Sequence, residues 1–102
     1  MKFFIVTCLK EYQEEVCKIF KQAAINAFSA TDIIGFKDNQ SPDLLAEWFA
    51  SGDEKFDSSM LFSFTTAEKT EHAMELIKKF NDANATNFPI RAFIVPVEKS
   101  IY

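Results

Sequence analysis

A chain of 102 residues fits one domain and leaves no room for a second, so two-domain enzymes are excluded. Its 48% hydrophobic and 25% charged residues are far from the composition of a disordered segment, and a folded core is expected. Eleven Lys and Arg against fifteen Asp and Glu leave a formal charge of −4, the wrong sign for counterion release on phosphate backbones, which argues against nucleic acid as a partner.

Phe3–Cys8 is an apolar run rich in β-formers and predicts a first, central strand. The start, Met1–Cys8, has one positive charge and an apolar run of about five residues, short of the roughly 7–15 of a secretory signal. No stretch approaches the roughly 20 apolar residues that span a bilayer, so a cytoplasmic protein is expected. Tyr12, Val16, Ile19, Phe20 and Ala23 then recur at helical spacing opposite Glu11, Glu14, Glu15, Lys18 and Lys21, which predicts an amphipathic helix. Phe28–Phe36 reads as a second strand, with Gly35 marking a bulge or close approach.

A connecting loop and short helix are expected at about 38–57. Ser41-Pro42-Asp43 suits a helix start, Leu44, Leu45, Trp48 and Phe49 cluster on one side, and Gly52 suits the stop. In Ser59–Thr65, Met60, Phe62 and Phe64 alternate with Leu61, Ser63 and Thr65, which predicts a third strand. Thr65 with Glu68 matches a capping box at the head of a second helix striped by Ala73, Leu76, Ile77 and Phe80. Asn81–Phe88 reads as a polar loop, and Ile90–Val95 as a fourth strand stopped by Pro96.

The order strand, helix, strand, strand, helix, strand predicts a single α+β domain over 1–102. Its architecture is a ferredoxin-like βαββαβ unit, a four-stranded antiparallel sheet with two helices on one face. Strands one and four are apolar on both sides, yet two helices cover only one. An uncovered face of that size exceeds what soluble monomers usually expose, so another subunit is the expected cover; the short helix and C-terminal tail folding back is the alternative. A charge at Phe4 or Val6 should then abolish assembly.

No enzyme motif is found. Glycine-rich phosphate loops are excluded, since the chain has only Gly35 and Gly52. His72, with Glu68 and Glu75 on the same helix, reads as charged surface rather than as a metal site. Cys8 and Cys17 lack redox spacing and read as free thiols. Neither a cofactor nor a metal is expected.

Three stretches carry a resemblance: Glu14-Glu15-Val16 after the first strand, Thr31-Asp32-Ile33-Ile34-Gly35-Phe36, and Phe93-Ile94-Val95-Pro96-Val97-Glu98 near the end. Together they resemble the PII signalling family and its divergent PII-like relatives, whose strand two carries TEVxGFG and whose closing segment carries IFVxPVEE. CutA-like proteins, with the same trimeric build, are the competing resemblance.

The PII resemblance implies a homotrimer with sheets packed inward and small ligands in clefts between subunits. It puts Ser29, Thr31 and Gly35 on the cleft-lining strand and Arg91 where a family lysine contacts phosphate, a task an arginine can perform bidentately. The ligand would be a nucleotide or small anion. The segment with Leu44, Leu45, Trp48 and Phe49 takes the place of the family's signalling loop, and Trp48 is a suitable interface anchor. Here the chain departs from the family: no glycine lies between Asn81 and Pro89, the C-terminal arginines are absent, and the 38–57 segment holds no tyrosine. Relatives of this divergent kind are encoded beside membrane transporters, so the resemblance implies a regulatory trimer controlling a transporter. The alternative is a CutA-like divalent-metal-binding protein.

Overall fold

Alternate residues of the first apolar run go to opposite sides of a sheet. Phe4, Val6 and Cys8 are buried under helices, whereas Phe3 and Ile5 stay partly exposed on the other side. The protein is represented by a computed structural model describing residues 1–36 and 55–101. Among these, β1 spans Lys2–Leu9, a 3-10 turn Lys10–Tyr12, α1 Gln13–Gln22, β2 Ser29–Phe36, β3 Lys55–Thr65, α2 Ala67–Ala83 and β4 Arg91–Pro96. The sheet is antiparallel in the order β2-β3-β1-β4, as the ferredoxin-like expectation requires.

One layer of core lies between sheet and helices. Phe4, Val6 and Leu61 meet Val16, Ile19 and Phe20 of α1 and Ala73 and Ile77 of α2. The Phe20 ring lies 5.5 Å from Phe4 and 4.8 Å from Phe28. Each of these buried side chains other than Ala73 contributes roughly 1.5–3 kcal/mol. This placement corrects one expectation: Phe4 and Val6 are core residues beneath the helices, so a charge there attacks the fold before any assembly. The residues turned to the open side are Phe3 and Ile5.

Helix α1 ends in a Schellman motif. Ala24 N–H donates to Lys21 O at 3.0 Å and Ile25 N–H to Phe20 O at 2.9 Å, while buried Ile25 and Phe20 close the accompanying apolar contact. The left-handed position is held by Ala24, with φ of 63°, where a Cβ is strained. Ala24→Gly should therefore stabilise the protein by about 0.5–1 kcal/mol, the relief exceeding the added freedom of the unfolded chain. A melting temperature raised by about 2–8 °C in a thermal scan is the expected result.

Several boundaries differ from the sequence reading. β3 begins at Lys55 rather than Ser59, because Lys55–Ser58 pair with Ile33–Phe36 although Phe56 is their only apolar member. The last three positions of the expected 38–57 connection are therefore strand. Its short helix, with Leu44, Leu45, Trp48 and Phe49, lies outside the described residues. Gly35 makes no bulge: the register is unbroken from Ser29 opposite Phe62 to Phe36 opposite Lys55. The cap of α2 is Thr66, whose hydroxyl accepts from Lys69 N–H at 3.3 Å, not Thr65, which is still in β3.

Asn81–Ala83 were expected in a loop and are the last residues of α2. Asn81 Oδ1 accepts from Ile90 N–H at 2.9 Å, and its Nδ2 donates to Ile90 O at 2.9 Å. This side chain imitates a strand partner and ties the helix end to the residue before β4.

Candidate functional site

Among the described residues, no helix or strand covers the second side of the sheet. Phe3 and Ile5 of β1, Met60, Phe62 and Phe64 of β3, and Phe93 and Val95 of β4 all point to it by register. Phe3 stacks on Phe64 at 4.7 Å and meets Phe62 edge-on at 5.9 Å. Even so, Phe64 is 54% exposed, Phe93 38% and Val95 41%. Aromatic and branched side chains left this open amount to an apolar patch of the kind that marks an interaction surface.

The four residues singled out from the sequence share this face. Ser29, Thr31 and Gly35 lie along β2, with Ser29 and Thr31 exposed. Arg91 opens β4 and is half-buried. Successive registers place Arg91 opposite Thr7, Thr7 opposite Met60, and Met60 opposite Thr31, so Arg91 and Thr31 end one straight row across the sheet. Three strand spacings of about 4.8 Å separate them by roughly 14 Å. Within one chain the arginine and the hydroxyls therefore stand at opposite edges and do not meet. Among the described strand residues Arg91 carries the only formal charge on this face. Asp32, the acidic residue of β2, points to the other side and pairs with Lys10 at 3.2 Å.

A phosphate cradle before the last strand needs several free backbone amides aimed at one point. Here Asn84 N–H donates to Phe80 O at 3.0 Å, Phe88 N–H to Thr86 Oγ1 at 3.1 Å, and Ile90 N–H to Asn81. Those three amides are already committed.

A shallow open groove of about 470 Å³ lies where β2 stops pairing with β3, lined by Asn26, Ala27, Phe28, Ser29, Phe62, Ser63 and Phe64. The Ser63 hydroxyl donates to Ala27 O at 2.6 Å, a side-chain bond that ties the entry to β2 to β3 where ladder pairing has ended. Nothing in the spacing of these residues signals the groove in advance. It depends on where pairing ends, as does the Asn81 contact on a partner nine positions away.

Metal chemistry finds no assembled donors: among the described residues no three His, Cys, Asp or Glu side chains come together. Cys8 and Cys17 are free thiols, and burial, with Cys17 nearby as the smaller cause, pushes the Cys8 thiol up to about 12. Cys8 is therefore protonated and inert at neutral pH. No helix among the described residues is long and apolar enough to cross a membrane.

Neither protein-family models nor curated proteins match this sequence. Solved structures do match its fold. A PII-like signalling protein of Thermus thermophilus superposes with a TM-score of 0.62 at 9% identity, over 91% of this chain and 82% of its own. CPII of Thiomonas intermedia, a nitrogen regulatory PII-like protein whose structure holds ADP, AMP and bicarbonate, gives 0.62 at 11% identity, over 98% and 94%. A DUF3240 family protein of Shewanella baltica gives 0.60 at 14% identity, over 97% and 91%. The chain thus has the fold of the PII-like signalling proteins along almost its whole length.

Proposed function

We propose that this chain is a PII-like regulatory protein of the cytoplasm, without enzymatic activity. In this reading it works as a homotrimer and binds a small anion or nucleotide between subunits. The observation that carries the reading is the open sheet face, whose described strand residues carry a single charge at one edge and hydroxyls at the other. In a ring of copies joined head to tail, the β4 edge of one lies beside the β2 edge of the next. That contact brings Arg91 of one copy up to Ser29, Thr31 and Gly35 of its neighbour. A guanidinium taken out of water at such a contact requires an anionic partner, and the strand residues of this face supply none.

The committed amides between Asn81 and Ile90 favour a compact anion over a triphosphate chain. Nucleoside monophosphates, diphosphates and bicarbonate are the compounds to test first, each being represented in the CPII structure. Control of a membrane transporter through the 38–57 segment, with Leu44, Leu45, Trp48 and Phe49 as the contact, is the downstream step of the same proposal. No observation favours the CutA-like metal-binding alternative.

Calorimetry against AMP, ADP, ATP, bicarbonate and divalent cations tests the reading. Binding of an anion is expected, with Arg91→Ala weakening it by about 1.5–3 kcal/mol, the worth of a charge-assisted hydrogen bond. Wild-type protein that binds no anion at millimolar concentration would remove the ligand from the proposal, and a monomer in light scattering would remove the ring.

A further inference from the structure

The groove beside Phe64 is a place where a strand is missing. Pairing of β2 with β3 starts at Ser29 opposite Phe62, so Ser63, Phe64 and Thr65 have no strand beside them on that edge. The same three residues are paired on their other side, with Phe4, Phe3 and Lys2. An edge of this kind is a template for a short extended segment.

The chain also carries a segment without a seat. After β4 ends at Pro96, Val97 N–H donates to Met1 O at 3.3 Å, and residues 98–101 have no regular structure. Ile101 is fully exposed, more so than any other large apolar side chain among the described residues. In an extended Val97-Glu98-Lys99-Ser100-Ile101, Val97 and Ile101 fall on one side with Lys99, and Glu98 and Ser100 on the other, a pattern compatible with a strand added at an edge.

The two features lie at the same level of the sheet. Pro96 pairs with Lys2 and Lys2 with Thr65, and extending that row onto the line of β2 reaches position 26, inside the groove. A head-to-tail ring whose axis runs along the strands keeps rows level. It therefore brings the end of β4 in one copy to the groove of the next. Five residues reach about 16 Å, more than the roughly 10 Å that three paired positions occupy.

We propose that Val97–Ile101 of each subunit swings across to the neighbouring copy and lies along its Ser63–Thr65 edge, with Ile101 against Phe62 and Phe64. The proposal rests on the ring described above and adds a linking strap to it. The chain's own groove is not the seat, since Ile101 stands in solvent beside its own fold.

The test uses full-length chains in which Cys8→Ala and Cys17→Ser remove the native thiols. One chain carries Ala27→Cys and the other Ile101→Cys, and the two are co-expressed and exposed to mild oxidation. A disulfide-linked dimer containing one of each chain is expected, absent when either is expressed alone. Hydrogen exchange gives a second readout: ending the chain after Val97 should speed exchange in the Ser63–Thr65 segment by about tenfold or more, with Lys2–Phe4 unchanged. Light scattering of the wild type separates the two ideas. A trimer that gives neither the mixed disulfide nor the change in exchange overturns the strap and leaves the ring standing; a monomer overturns both.

Discussion

On the trimer proposed above, Ile5→Asp should give a folded monomer, whereas Phe4→Asp should prevent folding altogether. The residues are neighbours in sequence and belong to opposite sides of β1: Ile5 lies on the open face between Phe62 and Phe93, and Phe4 is fully buried against Phe20. A carboxylate enclosed by a second subunit loses several kcal/mol of hydration, which Arg91, one row away on β4, offsets only in part; the remainder is enough to dissociate a trimer at micromolar concentration. On an open monomer the same carboxylate stays in water and costs little. At Phe4 there is no such escape, and loss of the ring alone costs about 3–5 kcal/mol, a large share of a small domain's stability. Light scattering with circular dichroism distinguishes the outcomes: native-like ellipticity and one-third of the mass for Ile5→Asp, loss of both for Phe4→Asp. An Ile5→Asp protein that remained trimeric would show that the open face is not the contact.

Asn81→Leu should lower the melting temperature by about 10 °C or more without changing any exposed surface of the sheet. The substitution is close in size but leaves the N–H and C=O of Ile90, a buried residue, without the two bonds Asn81 provides. Each abandoned buried group costs about 1–3 kcal/mol, so the pair amounts to several kcal/mol. At about 4–8 °C per kcal/mol for a domain near this size, the shift is easily measured. Asn81→Asp serves as the graded control. It keeps the acceptor for Ile90 N–H, loses the donor to Ile90 O, and should fall between Leu and wild type. Equal melting temperatures for all three proteins would mean that α2 and β4 are held together by side-chain packing alone.

Much of the fold was legible in the sequence because burial on one side imposes a period of two. Phe3 and Ile5 against Phe4 and Val6, or Met60 and Phe62 against Leu61 and Ser63, can be sorted without coordinates. Where the pattern thins, the reading fails. Lys55–Ser58 are strand through their hydrogen bonds to β2, and no alternation of apolar residues marks them. Thr65 with Glu68 fits the capping-box pattern and Thr66 with Lys69 does not, yet the backbone places the helix start after Thr66. The open face follows from two-sided strands and two helices, and among the described residues no further element covers it. Residue spacing did not show that Arg91 and Thr31 end the same row, because that follows from strand order and three separate registers. The Asn81 contact escaped notice for a simpler reason: an asparagine after an apolar helical stripe reads as a turn former, and its partner is set by how β4 is approached.

The central position of β1 has a consequence for how the chain comes to be folded. Its partners on both sides are made later: β3 lies more than fifty residues downstream at the Lys2–Thr65 pair, and β4 more than ninety at Lys2–Pro96. During synthesis β1 and α1 therefore exist for a time with no sheet to join, and one edge of β1 stays unpaired until the last strand leaves the ribosome. Closing such long loops before any pairing is gained makes a slow nucleation step, and unpaired apolar strands are prone to join other chains meanwhile. Refolding should accordingly be slower than for helical domains of the same length. Its yield should fall as protein concentration rises, because association of incomplete chains competes with arrival of β4.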